Sequence, residues 1–181
     1  MRLQMFVYLV VVIGLIGAAV MTVVFKQTSL PLWALEEVIE RGYAVPSRSV
    51  FEVAHLLRSA GAERVLLLDA REIDEYKVSH LAGAQHLAPN ILPEEFLQRY
   101  GAALRGKRVI IYCSVGKRSS DAAARLSQAA QKAGAVECAN MRGGIFRWYT
   151  EQFELVDTSG QATRALHKFD RFWGMFVPER P

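Results

Sequence analysis

Cys113-Ser114-Val115-Gly116-Lys117-Arg118-Ser119 brings one thiol, two hydroxyls, one glycine and two cations into seven consecutive residues. The stretch follows an apolar run ending at Cys113 and precedes an alanine-rich stretch from about Ser119 to Ala133. A strand end that turns into a helix start directs successive backbone N–H groups into one concavity, with the positive helix end behind it. Gly116 gives the backbone freedom that such a tight loop needs, and Lys117 and Arg118 place positive charge at its rim. A cysteine at the base of this cradle is expected to be a thiolate at neutral pH, because amides and cations favour its charged form. The combination predicts nucleophilic attack by Cys113 on an anionic substrate held by Ser114, Val115, Gly116, Lys117, Arg118 and Ser119. A second apolar run ends in Asp69, with Arg71 just beyond it. These two are read as a supporting ion pair near the loop rather than as substrate contacts.

Alternating helices and apolar strands must position these residues. Arg64 to Asp69 and Arg108 to Cys113 are short continuous apolar runs, as expected of strands covered on both faces. Shorter strands are predicted near Ala84 to Leu87 and Val136 to Ala139. Helices are predicted over Val50 to Ala60, capped by Ser49, and from Pro93, with Phe96, Leu97, Tyr100, Ala103 and Leu104 on one stripe. Two more follow, from about Ser119 to Ala133 and from about Gly144 to Phe153. The pattern predicts an α/β fold with a parallel sheet and helices on both faces. In such sheets useful residues collect beyond the carboxyl ends of the strands, where both Asp69 and Cys113 fall.

The motifs resemble those of the rhodanese-like sulfurtransferases, in the family's order, from about Ser49 to Val156. The loop from Cys113 to Ser119 is similar to the single-domain active loop Cys-x-x-Gly-x-Arg-Ser. Asp69-Ala70-Arg71, with Glu75 and Tyr76 behind it, resembles the Asp-x-Arg motif. Ser79-His80-Leu81-Ala82-Gly83-Ala84 resembles Gly-His-Ile-x-Gly-Ala, and Gly143-Gly144-Ile145-Phe146-Arg147-Trp148 the closing Gly-Gly-x-x-x-Trp. Ser79 stands where glycine is commoner, and Gln152 and Glu154 where glycine and proline are frequent. The resemblance implies a rhodanese-like fold and a thiosulfate sulfurtransferase that works without cofactor or metal. Cys113 would take the outer sulfur of thiosulfate or a similar small anionic donor as a persulfide, then pass it to a thiol, a sulfur carrier or cyanide. Lys117 and Arg118 would hold the donor's sulfonate. Two alternatives share the fold: a phosphatase, and a non-catalytic binding or regulatory module. Those phosphatases carry five residues between cysteine and arginine, against four here, and a histidine where Tyr112 stands. Non-catalytic modules usually lack the cysteine.

Composition sets the wider frame. The 181 residues carry 22 basic and 18 acidic side chains, a formal net charge of +4. There is no arginine-rich stripe to neutralise phosphates, so no nucleic-acid partner is expected. Two cysteines are too few for a disulfide framework, and Cys138 reads as a small core residue rather than a resolving thiol. His55, His80, His86 and His167 share no metal-ligand spacing; His80 is read as a structural hydrogen-bonding residue. Phe6 to Phe25 is a run of 20 residues without charge, 17 of them apolar. It predicts an uncleaved transmembrane helix, ahead of a cleaved signal or a buried core helix, since such a length spans about 30 Å of bilayer. The expected division is an anchor over 1–26 (spanning 6–25), a connector with a short helix over 27–48, a rhodanese-like domain over 49–156 and an aromatic-rich tail over 157–181. A single-pass membrane protein follows. The flanking charges, Arg2 and the α-amine against Lys26, nearly tie, so they leave the side of the catalytic domain open. Three readings stay open for the tail: cover for the core, contact with the membrane interface, or contact with a partner.

Overall fold

A computed structural model describes residues 31–59, 61–169, 171–174 and 176–177. In chain order these form α1 (Leu32–Gly42), β1 (Ser47–Arg48), α2 (Val50–Arg58), β2 (Val65–Asp69), α3 (Ile73–Val78), β3 (Gln85–His86), α4 (Pro93–Tyr100) and β4 (Arg108–Tyr112). Then come α5 (Lys117–Lys132), β5 (Glu137–Met141), α6 (Gly144–Thr150), β6 (Leu155–Val156), β7 (Ala162–Thr163) and α7 (Arg171–Gly174). Five strands make one sheet in the order β1-β5-β4-β2-β3, and every pairing in it is parallel. The α/β architecture with a parallel sheet is the one expected.

Successive strand residues point to opposite faces, so the sheet divides two cores. Leu67, Ile110, Tyr112, Ala139 and Met141 face one core with Val50, Val53, Ile145 and Phe146. Leu66, Leu68, Val109, Ile111 and Cys138 face the other with Phe96, Tyr100, Ala122, Ala123 and Leu126. The alanines of α5 let that helix lie close on the sheet. Ser49 caps α2 as expected, in a reciprocal capping box with Glu52.

Several boundaries differ from the expected ones. Helix α5 begins at Lys117 because Gly116, at φ 108°, already occupies the N-cap. Helix α6 stops at Thr150, and Gln152 then adopts φ 63°, a turn that reverses the chain. On α4 only Phe96, Tyr100 and the following Leu104 are buried; Leu97 and Ala103 face outward. The chain tightens into a 3₁₀ turn at Gly101–Ala103, which shifts the phase of the stripe.

The stretch read as a connector contributes structure of its own. Helix α1 buries Leu32 and Ile39 in the first core, while β1 extends the sheet by pairing with β5. Pairing and burial at that edge start ahead of residue 49 because the β5 edge would otherwise leave its backbone groups unpaired. Beyond residue 156, β7 pairs antiparallel with β6, and Phe176 and Val177 are buried in the first core. The Phe6–Phe25 run lies outside the described residues. Among the described residues no helix is long and apolar enough to cross a membrane.

Candidate active site

The register sets Asp69 beside Tyr112 and Ile111 beside Asn140. The carboxyl ends of β2, β4 and β5 therefore meet at one edge of the sheet. Cys113 follows β4 directly and is buried. The chain then turns through Ser114, Val115 and Gly116 into α5. Gly116 folds its N–H back onto Cys113 Sγ at 3.2 Å, and Ser119 Oγ lies 3.4 Å from the same sulfur. The Gly116 N–H thus donates to the thiol at the start of the helix, where the helix field favours negative charge, and the Ser119 hydroxyl lies beside the sulfur.

The loop is held from beneath by Gly143-Gly144. Ile145 N–H donates to the Cys113 carbonyl at 2.8 Å and Phe146 N–H to that of Ser114 at 3.0 Å. Gly144, at φ 56°, permits this approach; a Cβ there would collide with the Cys113 carbonyl oxygen. Asn140 closes the base, its Oδ1 2.7 Å from Ser119 Oγ. The sequence reading missed this residue. Its signal was a polar side chain inside an otherwise apolar strand.

The two rim cations differ sharply. Lys117 is exposed, and its Nζ reaches Asp121 at 3.0 Å. Asp121 also accepts from Tyr43 Oη at 2.7 Å. Arg118 instead turns inward and forks onto Glu75, with contacts of 2.7 and 3.0 Å. Its Nη2 also donates to Ser114 Oγ at 2.9 Å, and Ser114 Oγ–H lies 3.0 Å from Glu75 Oε1. Burial pushes the Glu75 carboxyl up, but the hydrogen bonds and charge of Arg118 prevail and hold it below its ordinary 4.5. Arg118 likewise loses hydration, yet Glu75 and the negative charge available at Cys113 hold its guanidinium protonated.

Asp69 and Arg71 form a separate, fully buried pair with a closest contact of 2.6 Å. Arg71 Nη2 also donates to the Ser79 carbonyl at 2.6 Å. Neither side chain has a hydrogen bond to Cys113 or its loop; the pair ties β2 to the segment after α3. Ser79 fits without backbone strain because its φ of −169° is extended backbone that any residue adopts, although its buried hydroxyl has no hydrogen-bond partner among the described residues. His80 is stacked on Tyr76 with ring centres 4.0 Å apart, and its Nδ1 lies 3.0 Å from the Tyr76 carbonyl. Cys138 faces the other core, where burial pushes its thiol up to about 11. Among the described residues no group of three or more His, Cys, Asp or Glu is placed to hold a metal ion.

Above Cys113 lies a cavity of about 260 Å³. Val115 and Arg118 line it from the loop, and Phe169 and Trp173 line it from the C-terminal segment. The two aromatic residues come from the stretch whose role the sequence left open.

Comparison with known proteins matches residues 52–151 to the Rhodanese-like domain. The uncharacterized protein YqhL of Bacillus subtilis is 34% identical over 89 residues, covering 49% of this chain and 64% of that protein. The match thus spans slightly under two thirds of this relative's length. Among solved structures, the BH2092 protein of Bacillus halodurans superposes with a TM-score of 0.54 at 22% identity, over 73% of this chain and 88% of that one. The As-Sb reductase of Leishmania major gives 0.52 at 16% identity, over 65% and 92%. These two likenesses concern the fold alone.

Proposed function

This chain belongs to the rhodanese-like domain family, and on that premise we propose that it is a sulfurtransferase working through a Cys113 persulfide. The observation that carries the reading is the Gly116 N–H donating to Cys113 Sγ at the start of α5, beneath an open cavity. The Cys113 thiolate attacks the outer sulfur of thiosulfate or a similar sulfane donor. A new S–S bond forms, the donor's S–S bond breaks, and sulfite leaves with the electron pair. The terminal sulfur of Cys113–S–S⁻ then lies over the loop amides, which stabilise its charge without reorganising. Attack by an acceptor thiolate returns Cys113. Arg118 keeps the loop in shape through Glu75 and Ser114, and Lys117 offers the exposed charge that meets an incoming anion. Phosphatase chemistry is less well served, since the guanidinium that would clasp a phosphate is already forked onto Glu75.

The test is mass spectrometry of the full chain after thiosulfate treatment. We expect one added sulfur on Cys113, lost on exposure to a thiol. Cys113→Ser should reduce transfer to background and Cys138→Ser should retain most of it. Equal loss in both variants would point to a dithiol mechanism and defeat the one-cysteine reading. We further infer that Phe6 to Phe25 anchors the protein as a single membrane pass, supported by its charge-free length.

A further inference from the structure

The C-terminal segment lies outside the residues matched to the family, yet it builds one wall of the Cys113 cavity. Phe169 sets its ring over the Arg118 guanidinium, 5.6 Å from carbon to ring centre. It does so from a backbone φ of 64°, a conformation that bulky residues adopt only under constraint. Its N–H donates to His167 Nδ1 at 3.1 Å, which fixes the turn. Trp173 stands beside it on the same wall and packs at a tilt of 40° near Phe176, with ring centres 6.0 Å apart, and Phe176 is held in the core. An aromatic ring aimed over the site from a strained residue, and a second ring footed in the core, form a fixed apolar surface.

The charges around the cavity do not favour a small dianion. The lining itself carries Lys117, Arg118 and one carboxylate, Glu72; outside it, Arg118 is matched by Glu75 and Lys117 by Asp121. With those two partners counted, two positive charges meet three negative ones. Thiosulfate, with two negative charges on five heavy atoms, gains little net attraction here and leaves much of a cavity of about 260 Å³ unfilled. A donor with one negative charge and an apolar group would set its sulfur over Cys113 and its carbon skeleton against the rings.

We propose that Phe169 and Trp173 are specificity-determining residues that select sulfane donors bearing an apolar organic group, the thiosulfonate class R–SO₂–S⁻, over inorganic thiosulfate. The proposal rests on the sulfurtransferase reading. In the step, Cys113 Sγ⁻ bonds to the terminal sulfur, the S–S bond to the sulfonyl group breaks, and R–SO₂⁻ departs with the electron pair. Total charge is conserved at two negative units, and no oxidant or reductant is consumed.

The test uses the full chain in detergent with benzenethiosulfonate and thiosulfate as probes. Its readout is the concentration-dependent rate of sulfur loading on Cys113, followed by mass spectrometry. Ratios between variants cancel the donors' different intrinsic reactivities. The selectivity for benzenethiosulfonate over thiosulfate should fall about tenfold in Phe169→Ala and in Trp173→Leu, the scale of a lost apolar contact in a specificity pocket. Phe169 is 53% exposed, so its truncation leaves the core intact and decides the matter even if Trp173→Leu folds poorly. A ratio unchanged in Phe169→Ala, or an equal loss with both donors, overturns the proposal and leaves the sulfurtransferase reading standing. Sulfur loading from neither donor on the wild-type chain defeats both.

Discussion

Lys117 and Arg118 are neighbours of the same formal charge, and their surroundings give them different work. Lys117 is solvent-exposed and already shares its charge with Asp121 at 3.0 Å. An exposed unit-charge pair at such distances is worth about 1 kcal/mol in water, and Asp121 offsets part of it. Lys117→Ala should therefore lower kcat/KM for thiosulfate only about two- to fivefold. The loss should shrink as salt is added, because salt already screens the wild type. Arg118→Ala removes the guanidinium from Glu75 and from Ser114 Oγ together. It leaves a buried carboxylate without its cation, a loss of about 2–3 kcal/mol or roughly 30- to 150-fold, and salt should not restore it. Steady-state kinetics of both variants at low and high ionic strength checks this. A salt-independent deficit in Lys117→Ala would show that its role is not electrostatic.

Ion pairs join elements here more than they guide substrate. Arg71, paired with Asp69, fastens the end of β2 to the segment after α3 through the Ser79 carbonyl, and Glu75–Arg118 fastens α3 to the first turn of α5. Glu36 reaches from α1 to Arg142 and Arg147, on either side of the Gly143-Gly144 turn that supports the active loop. The Glu75 carboxyl is held below its ordinary 4.5 in the folded chain. A depressed folded pKa contributes stability that is fully present above the ordinary value and is lost as pH falls through the folded one. Wild-type stability should thus decline below about pH 4.5, and Glu75→Gln should show a flatter acid limb from a lower starting stability. Urea unfolding midpoints across that range measure the difference; parallel acid limbs would mean that Glu75 does not carry the dependence. At the end of α6, Gln152 occupies φ 63°. Glycine adopts this geometry freely, whereas an L side chain there costs about 1–2 kcal/mol, of which the greater freedom of unfolded glycine returns about half. Gln152→Gly should therefore raise stability by about 0.5–1 kcal/mol, read as a rise in Tm. A lower Tm would show that the Gln152 side chain makes a contact that outweighs the strain.

At the scale of the whole molecule, the fold reaches beyond its central motifs on both sides. Helix α1 and strand β1 complete one face and one edge of the sheet, and the C-terminal segment returns to cover both core and cavity. The proposed anchor precedes α1, whose Glu36 contacts adjoin the turn beneath Cys113. On the anchored reading, the full chain should sediment with membranes and resist alkaline carbonate extraction, while a chain starting near Gln27 should stay largely in the supernatant. Release of the full chain by carbonate would reject the membrane pass.

The sequence alone determined the alternation of helices and strands, because apolar runs of five or six residues between amphipathic stretches have few other folded solutions. It also placed Cys113 at a strand end and Gly116 at a turn, since both follow from local chain geometry. What joins distant segments was decided only by tertiary structure. No local pattern says that Glu75 rather than an anion occupies the Arg118 fork, that Asn140 backs Ser119, or that Asp121 shares the charge of Lys117. Strand order and register set those partners, and a one-residue slip would separate them. The same holds for Phe169 and Trp173: aromatic residues in a tail bury themselves wherever an apolar surface is offered. Only the packed chain shows that this surface borders the thiol, because the hydrophobic effect has magnitude without direction.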